Sequence, residues 1–445
     1  MTQGHVASSP GAEPDRAALV LDHSSGLIQL RTDPAFRNGV MRCVRCSICV
    51  PHCPSYAVFR NEADSPRGRV QLMRAAMEGR IAPDATLELH LDKCLGCRAC
   101  EDACPSGVPY GQLLEQARHA LLPTRHAHWR KRVVQVFLQQ VLAKPRTLML
   151  ISRLLAVIQW LRLDRLARWL VRPVSRTMAR RLDLLPRVAG APFDPQEVPV
   201  PAQPTAAFHA GCIMASALGD VQRSALRVLQ QNGHATLVPP EQGCCGALHQ
   251  HAGLIDDARA LARDTVAAFE ATDVPICTTS SGCSLAMKEY GRLLADEPAW
   301  ASRAAAFSAR IRDLSEMAGT AGPIRHTKVA VQSACHHWNV QRLRGTAVDV
   351  LRNNGVDAVA LPRGAGCCGA AGLWSAQHPE AAWGLLQPLL DAIEHSGCDV
   401  AAISNPGCLF HIRAGLRTRG SKVRALHLAE VLDTSAPSDD DDDDH

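Results

Sequence analysis

The sequence predicts an α + α/β chain: a helical N-terminal part, a helical basic segment, and a duplicated α/β part rich in cysteine. Three observations predict it. The stretch CVRCSICVPHCP (43–54) returns as CLGCRACEDACP (94–105), with a helical pattern between the two. A region from Arg125 to Arg187 mixes 15 Lys or Arg with Leu, Val and Trp at roughly helical spacing, against only Asp164 and Asp183. Beyond it, strand-prone runs alternate with helical ones in two halves that repeat at a fixed offset.

At 445 residues and 47% hydrophobic content, the chain can fill two or three globular cores. The expected organisation is a flexible N-terminus over 1–34, a helical part over 35–122, and a basic amphipathic segment with a linker over 123–200. Two α/β repeats over 201–320 and 321–432 and an acidic disordered tail over 433–445 complete it. The formal charge of +5 includes the run Asp439 to Asp444, without which it would be +11. Six like charges beside Pro437 and Ser438 read as a solvated tail. No basic flank followed by an apolar run opens the sequence, so no secretory signal is expected, and cytoplasmic thiols favour metal ligation over disulfides.

In the first part, Cys-x2-Cys-x2-Cys lets one loop wrap three irons of a cubane, and in paired runs the distant Cys before Pro ligates the other cluster. The expected sets are Cys43, Cys46, Cys49 and Cys104 for one [4Fe–4S] cluster, and Cys94, Cys97, Cys100 and Cys53 for a second. Zinc is also held by four cysteines, but commonly as two separated pairs rather than as a duplicated run of three plus one. Between the runs, SPRGRVQLMRAAMEG reads as a helix from Pro66 with Val70, Leu72, Met73 and Met77 toward a core. The fold expected here is a helical ferredoxin-like domain with two cubane clusters.

In the basic segment, arginines interleaved with apolar residues suit a helix lying on lipid or on a partner, and an interdomain helical bundle with a solvated basic face is the alternative. Arg153 and Arg162 interrupt the apolar run, which argues against a spanning helix.

In the last part, Cys212, the pair Cys244 and Cys245, and Cys283 match Cys335, the pair Cys367 and Cys368, and Cys408. Cys212 to Cys244 and Cys335 to Cys367 are both separations of 32, and the halves are offset by 123 at those positions. Strand-prone TAAFHAGC, ATLVPPEQGCC, VPICTTSSGC, KVAVQSAC, AVALPRGAGCC and VAAISNPGC alternate with helical runs, with Gly233 and Gly355 as helix stops. The matched cysteines then lie past the carboxyl ends of parallel strands, where open α/β sheets bind ligands. Four thiols per half can hold an iron–sulfur cluster or zinc, or act as a redox dithiol. Gly246 and Gly369 are expected to let the backbone approach a cofactor. Cys277 and Cys398, outside the repeat, read as buried thiols. His249, His251, His336, His337 and His411 read as polar loop residues, with donation to the sites or ligation as the alternative. Neither a Walker sequence nor H-E-x-x-H is present, so the chain is expected to pass electrons for a partner that carries a hydride acceptor.

The two runs CVRCSICVPHCPSY and CLGCRACEDACPSGVPYGQLLEQAR, the intervening SPRGR and the two CCG halves together resemble the iron–sulfur subunit of glycolate oxidase, over residues 35 to 432. Related arrangements occur in the anaerobic glycerol-3-phosphate dehydrogenase small subunit, lactate-oxidising complexes and heterodisulfide reductase subunits. The resemblance implies an electron-transfer subunit of an oxidoreductase complex that does not oxidise substrate alone. It implies an FAD-containing catalytic partner that converts glycolate to glyoxylate, and an acceptor at the respiratory chain, with a quinone or membrane acceptor and a place on the inner face of the cytoplasmic membrane as the fuller expectation. No nucleic-acid partner is expected. The fullest CCG pattern ends in Cys-x-x-Cys, whereas Ser280 and Asn405 stand here ahead of Cys283 and Cys408. The noncubane cluster of heterodisulfide reductase is therefore not expected, and a simpler cluster or zinc is. A thiol–disulfide reductase fed by the two clusters is the alternative function.

Overall fold

A computed structural model describes residues 30–122 and 129–435 apart from 172, 186, 189, 321–323, 325 and 363–365. Residues 1–29 of the expected flexible N-terminus and the run Asp439 to Asp444 lie outside the described residues.

The N-terminal part is helical, and its helices start where the sequence offers caps. Asp33, Ser65 and Asp84 accept hydrogen bonds from the first-turn N–H groups of helices Pro34–Met41, Pro66–Met77 and Ala85–Asp92. Pro34, Pro54 and Pro66 occupy first helical positions, where a missing N–H costs nothing. The expected core face of Pro66–Met77 is borne out: Val70, Met73 and Met77 are buried with Phe36, Val40, Leu91 and Leu113, and Leu72 packs against them half-buried.

The basic segment forms helices Trp129–Phe137, Pro145–Trp160, Leu163–Val171 and Arg176–Asp183, the first running on into a π-helical turn, Leu138–Leu142. Its inner side is anchored by Leu138, Leu142 and Leu148, which share a core cluster with Cys244 and Leu254. No helix among the described residues is long and apolar enough to cross a membrane.

Two four-stranded parallel sheets follow. The first has order β2-β1-β3-β4, with β1 Ala206–His209, β2 Thr236–Leu237, β3 Ile276–Thr278 and β4 Ile311–Asp313. The second has the same order, β6-β5-β7-β8, with β5 Lys328–Gln332, β6 Asp357–Ala360, β7 Val400–Ile403 and β8 Arg424–His427. Six strands match the sequence reading; the edge strands β4 and β8 do not, because IRD and RALH are short and partly charged. Both central pairs are buried, and β3 and β7 are buried at every position. Gly233 and Gly355 end matching helices at φ 79° and 80°. In each case the next residue closes the turn, His234 N–H onto Leu229 and Val356 N–H onto Leu351.

Candidate metal centre

The loops of the two CxxCxxC runs share one backbone path. Arg45 and Ser47 adopt left-handed φ of 60° and 72°, and their counterparts Gly96 and Arg98 adopt 68° and 56°. Three of the four are not glycine, a conformation that persists only where the surroundings hold it. It curls each loop so that N–H groups turn toward sulfur, as Gly96 N–H does to Cys94 Sγ at 3.4 Å.

Each loop has the fourth cysteine of the other run within electrostatic reach. Burial pushes the Cys49 thiol up to about 11, and the thiols adding to the rise are Cys43, from its own run, and Cys104, from the other. Burial likewise pushes Cys100 far up, together with Cys97, Cys94 and the distant Cys53. A cavity lined by Cys43, Cys46, Cys49, Cys100 and Cys104 is walled by Pro66, Val70, Val108 and Tyr110. Cys46 is exposed, while Cys53 is buried.

SPRGR, read from sequence only as a helix start and a likeness, supplies two charged neighbours that the sequence reading missed. Arg67 donates to the Ser47 hydroxyl in the first loop. Arg69 is fully buried, donates to the His90 carbonyl at 2.6 Å and to Ser55 Oγ at 3.0 Å, and so stands behind Cys53, whose sulfur is 3.2 Å from Ser55 Oγ. Despite burial, its guanidinium is kept charged, with the Asp64 carboxylate 3.9 Å away. The spacing of two along a helix start carries Arg67 to the first loop and Arg69 behind Cys53.

In the duplicated part, each quartet comes together at the carboxyl ends of its strands. In the first half, Cys212 Sγ lies 3.5 Å from Cys244 Sγ. Hydrogen bonds from Cys212 and Cys245 hold the Cys244 thiol well below its usual range, and Cys245 in turn meets Cys283. In the second half, Cys368 Sγ and Cys408 Sγ are 2.6 Å apart, and Cys335 and Cys367 lie within electrostatic reach of both. The carbonyl of the second paired cysteine is satisfied alike in both halves, by Tyr290 Oη on Cys245 at 2.8 Å and by His411 Nδ1 on Cys368 at 2.6 Å.

Several expectations need correction. Gly246 and Gly369 are required by the fold itself: both have positive φ, 75° and 71°, and a Cβ on them would meet Ala258 and Ala382 of the following helices. Their N–H groups face Cys244 Sγ at 3.5 Å and Cys367 Sγ at 3.4 Å. The five histidines are not polar loop residues; all lie in or at the start of helices, and His249, His337 and His411 are buried. His249 bonds the Leu138 carbonyl at 3.1 Å and His337 bonds Asp313 at 2.8 Å. Burial drives His251 down to about 3 and His336 down to about 4, so both are neutral. Ser280 and Asn405, in place of the missing cysteines, cap the helices that carry Cys283 and Cys408. Cys277 and Cys398 are buried thiols, as expected.

The sites form one connected body. Asn339 donates to the Cys97 carbonyl at 2.8 Å and His336 meets the Gly96 carbonyl at 3.2 Å, so the second half clasps the second CxxCxxC loop. Cys335 and Cys367 help raise the Cys97 thiol, after burial. The halves join each other where Asn405 donates to Ser281 Oγ at 2.9 Å and Ser281 N–H to the Ser404 carbonyl at 3.2 Å. Arg118 ties the first half to the loop, donating to the carbonyls of His251 and Cys94 at 2.7 and 2.9 Å.

The cysteines gather in sulfur-rich loops, which is the chemistry iron–sulfur clusters use, and the nearby Glu101 and Asp102 are taken up by Arg98 and by Arg342 and Arg344. Among the described residues, no three Cys, His, Asp or Glu groups converge to hold a single metal ion. A polynuclear cluster asks less convergence, since each corner takes one thiolate.

The models of known families match in the same places. A 4Fe-4S dicluster domain matches residues 39–108, and the cysteine-rich CCG domain matches 206–288 and 329–413. The probable glycolate oxidase iron-sulfur subunit of Bacillus subtilis (strain 168) is 33% identical over 88% of this chain and 93% of its own length. The glycolate oxidase iron-sulfur subunit of Escherichia coli (strain K12) is 29% identical over the same shares. A lactate utilization protein A from an Exiguobacterium species is 26% identical over 52% of this chain and 97% of its own. With its two cysteine loops, its twice-folded CCG sites and a relative alike along nearly its whole length, the chain belongs to the glycolate oxidase iron–sulfur subunit family.

Proposed function

We propose that the chain is the electron-transfer subunit of a glycolate dehydrogenase complex, taking electrons from an FAD-containing subunit that oxidises glycolate to glyoxylate. In this reading Cys43, Cys46, Cys49 and Cys104 hold one [4Fe–4S] cluster, and Cys94, Cys97, Cys100 and Cys53 a second. Such clusters supply reversible one-electron storage. Cys212, Cys244, Cys245 and Cys283, and Cys335, Cys367, Cys368 and Cys408, hold a further iron–sulfur group or zinc in each half. The domain limits are those read from the sequence.

One observation carries the reading: Cys49 keeps company with Cys104, and Cys100 with Cys53. The order of the thiol sets supports it. The first loop is at the surface, with Cys46 exposed beside exposed Met41, Val44 and Ile48, an apolar rim suited to the flavin-bearing partner. The second loop is inside, against the second CCG site. Asn339 and His336 fix that contact, and Arg67 and Arg69 offset negative charge at the loops. The acceptor is read as a quinone or membrane-linked carrier, with the chain peripheral on the inner face of the cytoplasmic membrane.

The test is iron content and electron paramagnetic resonance of anaerobically prepared chain, with Cys104→Ser and Cys53→Ser variants. Exchange predicts that Cys104→Ser removes the signal that Cys43→Ser removes, and Cys53→Ser the one that Cys94→Ser removes. Pairing of Cys53 with Cys43 would overturn it. The chain alone should not oxidise glycolate, and addition of the flavin subunit should restore turnover.

A second reading has one observation in its favour, the 2.6 Å approach of Cys368 and Cys408 sulfurs. It makes the CCG thiols a disulfide-reducing pair fed by the clusters. Loss of disulfide reduction in Cys245→Ser and Cys368→Ser, with both ferredoxin-type signals intact, would favour it.

A further inference from the structure

The helices of the basic segment are apolar on both sides. In Pro145–Trp160, Leu148 and Ser152 are buried against the protein, while Leu150, Leu154, Val157 and Trp160 are exposed along the opposite stripe. Arg146 and Arg153 share that stripe and are exposed. Leu163–Val171 repeats the pattern, with exposed Leu166, Trp169 and Leu170 beside exposed Arg162 and Arg165. Trp129, Trp160 and Trp169, one on each of three successive helices, are 71%, 80% and 71% exposed. Soluble surfaces rarely gather apolar side chains in this way, and a patch of this kind marks an interaction site.

Charge decides what the patch meets. From Trp129 to Arg187 the only acids are Asp164 and Asp183. Both are engaged by Arg168, the second at 3.6 Å; Glu88 and Asp92 pair with Lys131 and Glu380 with Arg180, and among the described residues none of these carboxylates pairs with Arg146, Arg153, Arg162 or Arg165. A protein partner that buried those arginines among leucines would have to desolvate them at high cost. At a bilayer surface the same side chains reach up to lipid phosphates while Trp and Leu enter the headgroup boundary. The helices do not span.

We infer that helices Trp129–Phe137, Pro145–Trp160 and Leu163–Val171 form a docking face for anionic phospholipid. This deepens the membrane-side part of the proposed function and rests on it for its purpose. The inner side of the first two of these helices and the turn between them packs on the first CCG site: Leu138, Leu142 and Leu148 lie with Cys244, and Cys212 and Leu248 pack against them. Docking therefore sets that site about one helix diameter, roughly 10 Å, beneath the lipid surface. The first CCG site is then a thiol set close to the membrane.

The experiment is co-sedimentation of the full, cluster-loaded chain with vesicles of phosphatidylcholine alone and of phosphatidylcholine with phosphatidylglycerol in equal parts, at low and high salt. Expected are binding to the anionic vesicles, release by salt, and a blue shift of tryptophan fluorescence. Arg146→Gln and Arg153→Gln should each weaken binding roughly fivefold, and Trp160→Ser should weaken it on both low and high salt. These exposed residues do not contribute to the core, and unchanged thermal midpoints check that. Absence of binding to either vesicle, or equal binding to both, overturns the inference; so does a dimer that buries the tryptophans, or loss of vesicle binding once the flavin subunit is added. Glycolate-dependent reduction of a soluble dye by the complex separates the two readings. Dye reduction without vesicle binding removes the docking face alone, and vesicle binding without dye reduction removes the electron-transfer role alone.

Discussion

Arg69, without solvent exposure, donates a 3.0 Å hydrogen bond to the hydroxyl of Ser55, which itself lies 3.2 Å from the sulfur of Cys53. A full positive charge is thereby locked behind a cysteine proposed to hold the second cluster, and Asp64 balances it with His90 and Lys93 at 2.8 Å each. Replacing Arg69 by Met should lower the reduction potential of the second cluster, because adding an electron loses a nearby positive charge. It should also cost about 3 kcal/mol, since Asp64 is left buried with fewer partners. Arg69→Lys should keep most of the potential but less of the stability, as an ammonium cannot make the same forked contacts. Potentiometric titration and denaturation midpoints read the two effects separately.

Glu115 introduces a pH dependence at the junction of the ferredoxin-like part and the first CCG half. Burial raises its carboxyl to about 7, against Arg292, and Gln250 donates to it at 2.8 Å. The raised value means that the folded chain holds this proton more tightly than the unfolded chain. The contribution is therefore most favourable below pH 4.5, falls as pH rises from 4.5 to about 7, and is constant above. The loss across that window is up to about 3 kcal/mol. Glu115→Gln should flatten this part of the stability profile and make the variant more stable than the parent at pH 8, as followed by denaturation midpoints from pH 4.5 to 8.

Gly369 and Gly246 occupy matching places but differ in room. A Cβ on Gly369 would lie 2.5 Å from the Ala382 carbonyl oxygen, one on Gly246 3.3 Å from that of Ala258, and both have positive φ. Gly369→Ala should cost about 2 kcal/mol or more and Gly246→Ala about 1 kcal/mol. Equal losses of thermal stability in the two variants would show that backbone conformation alone, not packing on the helix, sets the requirement.

Asn405 accepts hydrogen bonds from the N–H groups of Gly407 and Cys408 at 3.1 and 3.3 Å and reaches Ser281 across the junction of the halves. Asn405→Ala should cost about 1 kcal/mol from the cap and loosen that junction. Ser280→Ala, which loses one longer bond of 3.4 Å to Cys283 N–H, should cost less. Hydrogen exchange at Cys283 and Cys408 amides distinguishes the two effects.

Local spacing carried most of what could be read in advance. Cys-x2-Cys-x2-Cys-x3-Cys-Pro, the 32-residue separations of the CCG halves, the helix from Pro66 and six of the eight strands are all patterns within a few turns of chain, where propensity and periodicity act directly. The short edge strands β4 and β8 escaped because their residues carry no apolar alternation and gain their hydrogen bonds only from β3 and β7. Gly369 was legible as a special position, yet the neighbour that requires it, Ala382, is brought there by the fold.

The sequence by itself therefore determined the cysteine spacing, the duplication and the parallel α/β halves, because each depends on residue identity at fixed local intervals. Tertiary structure alone decided how the sites adjoin. Asn339 meets Cys97 across 242 positions of sequence, and Ser281 meets Asn405 across 124. It also decided that SPRGR sends Arg67 to Ser47 and Arg69 behind Cys53, and that helix Pro145–Trp160 buries one side while exposing an apolar stripe on the other. Those relations arise when separate elements pack, and no local pattern of residues encodes which distant surface a given side chain will meet.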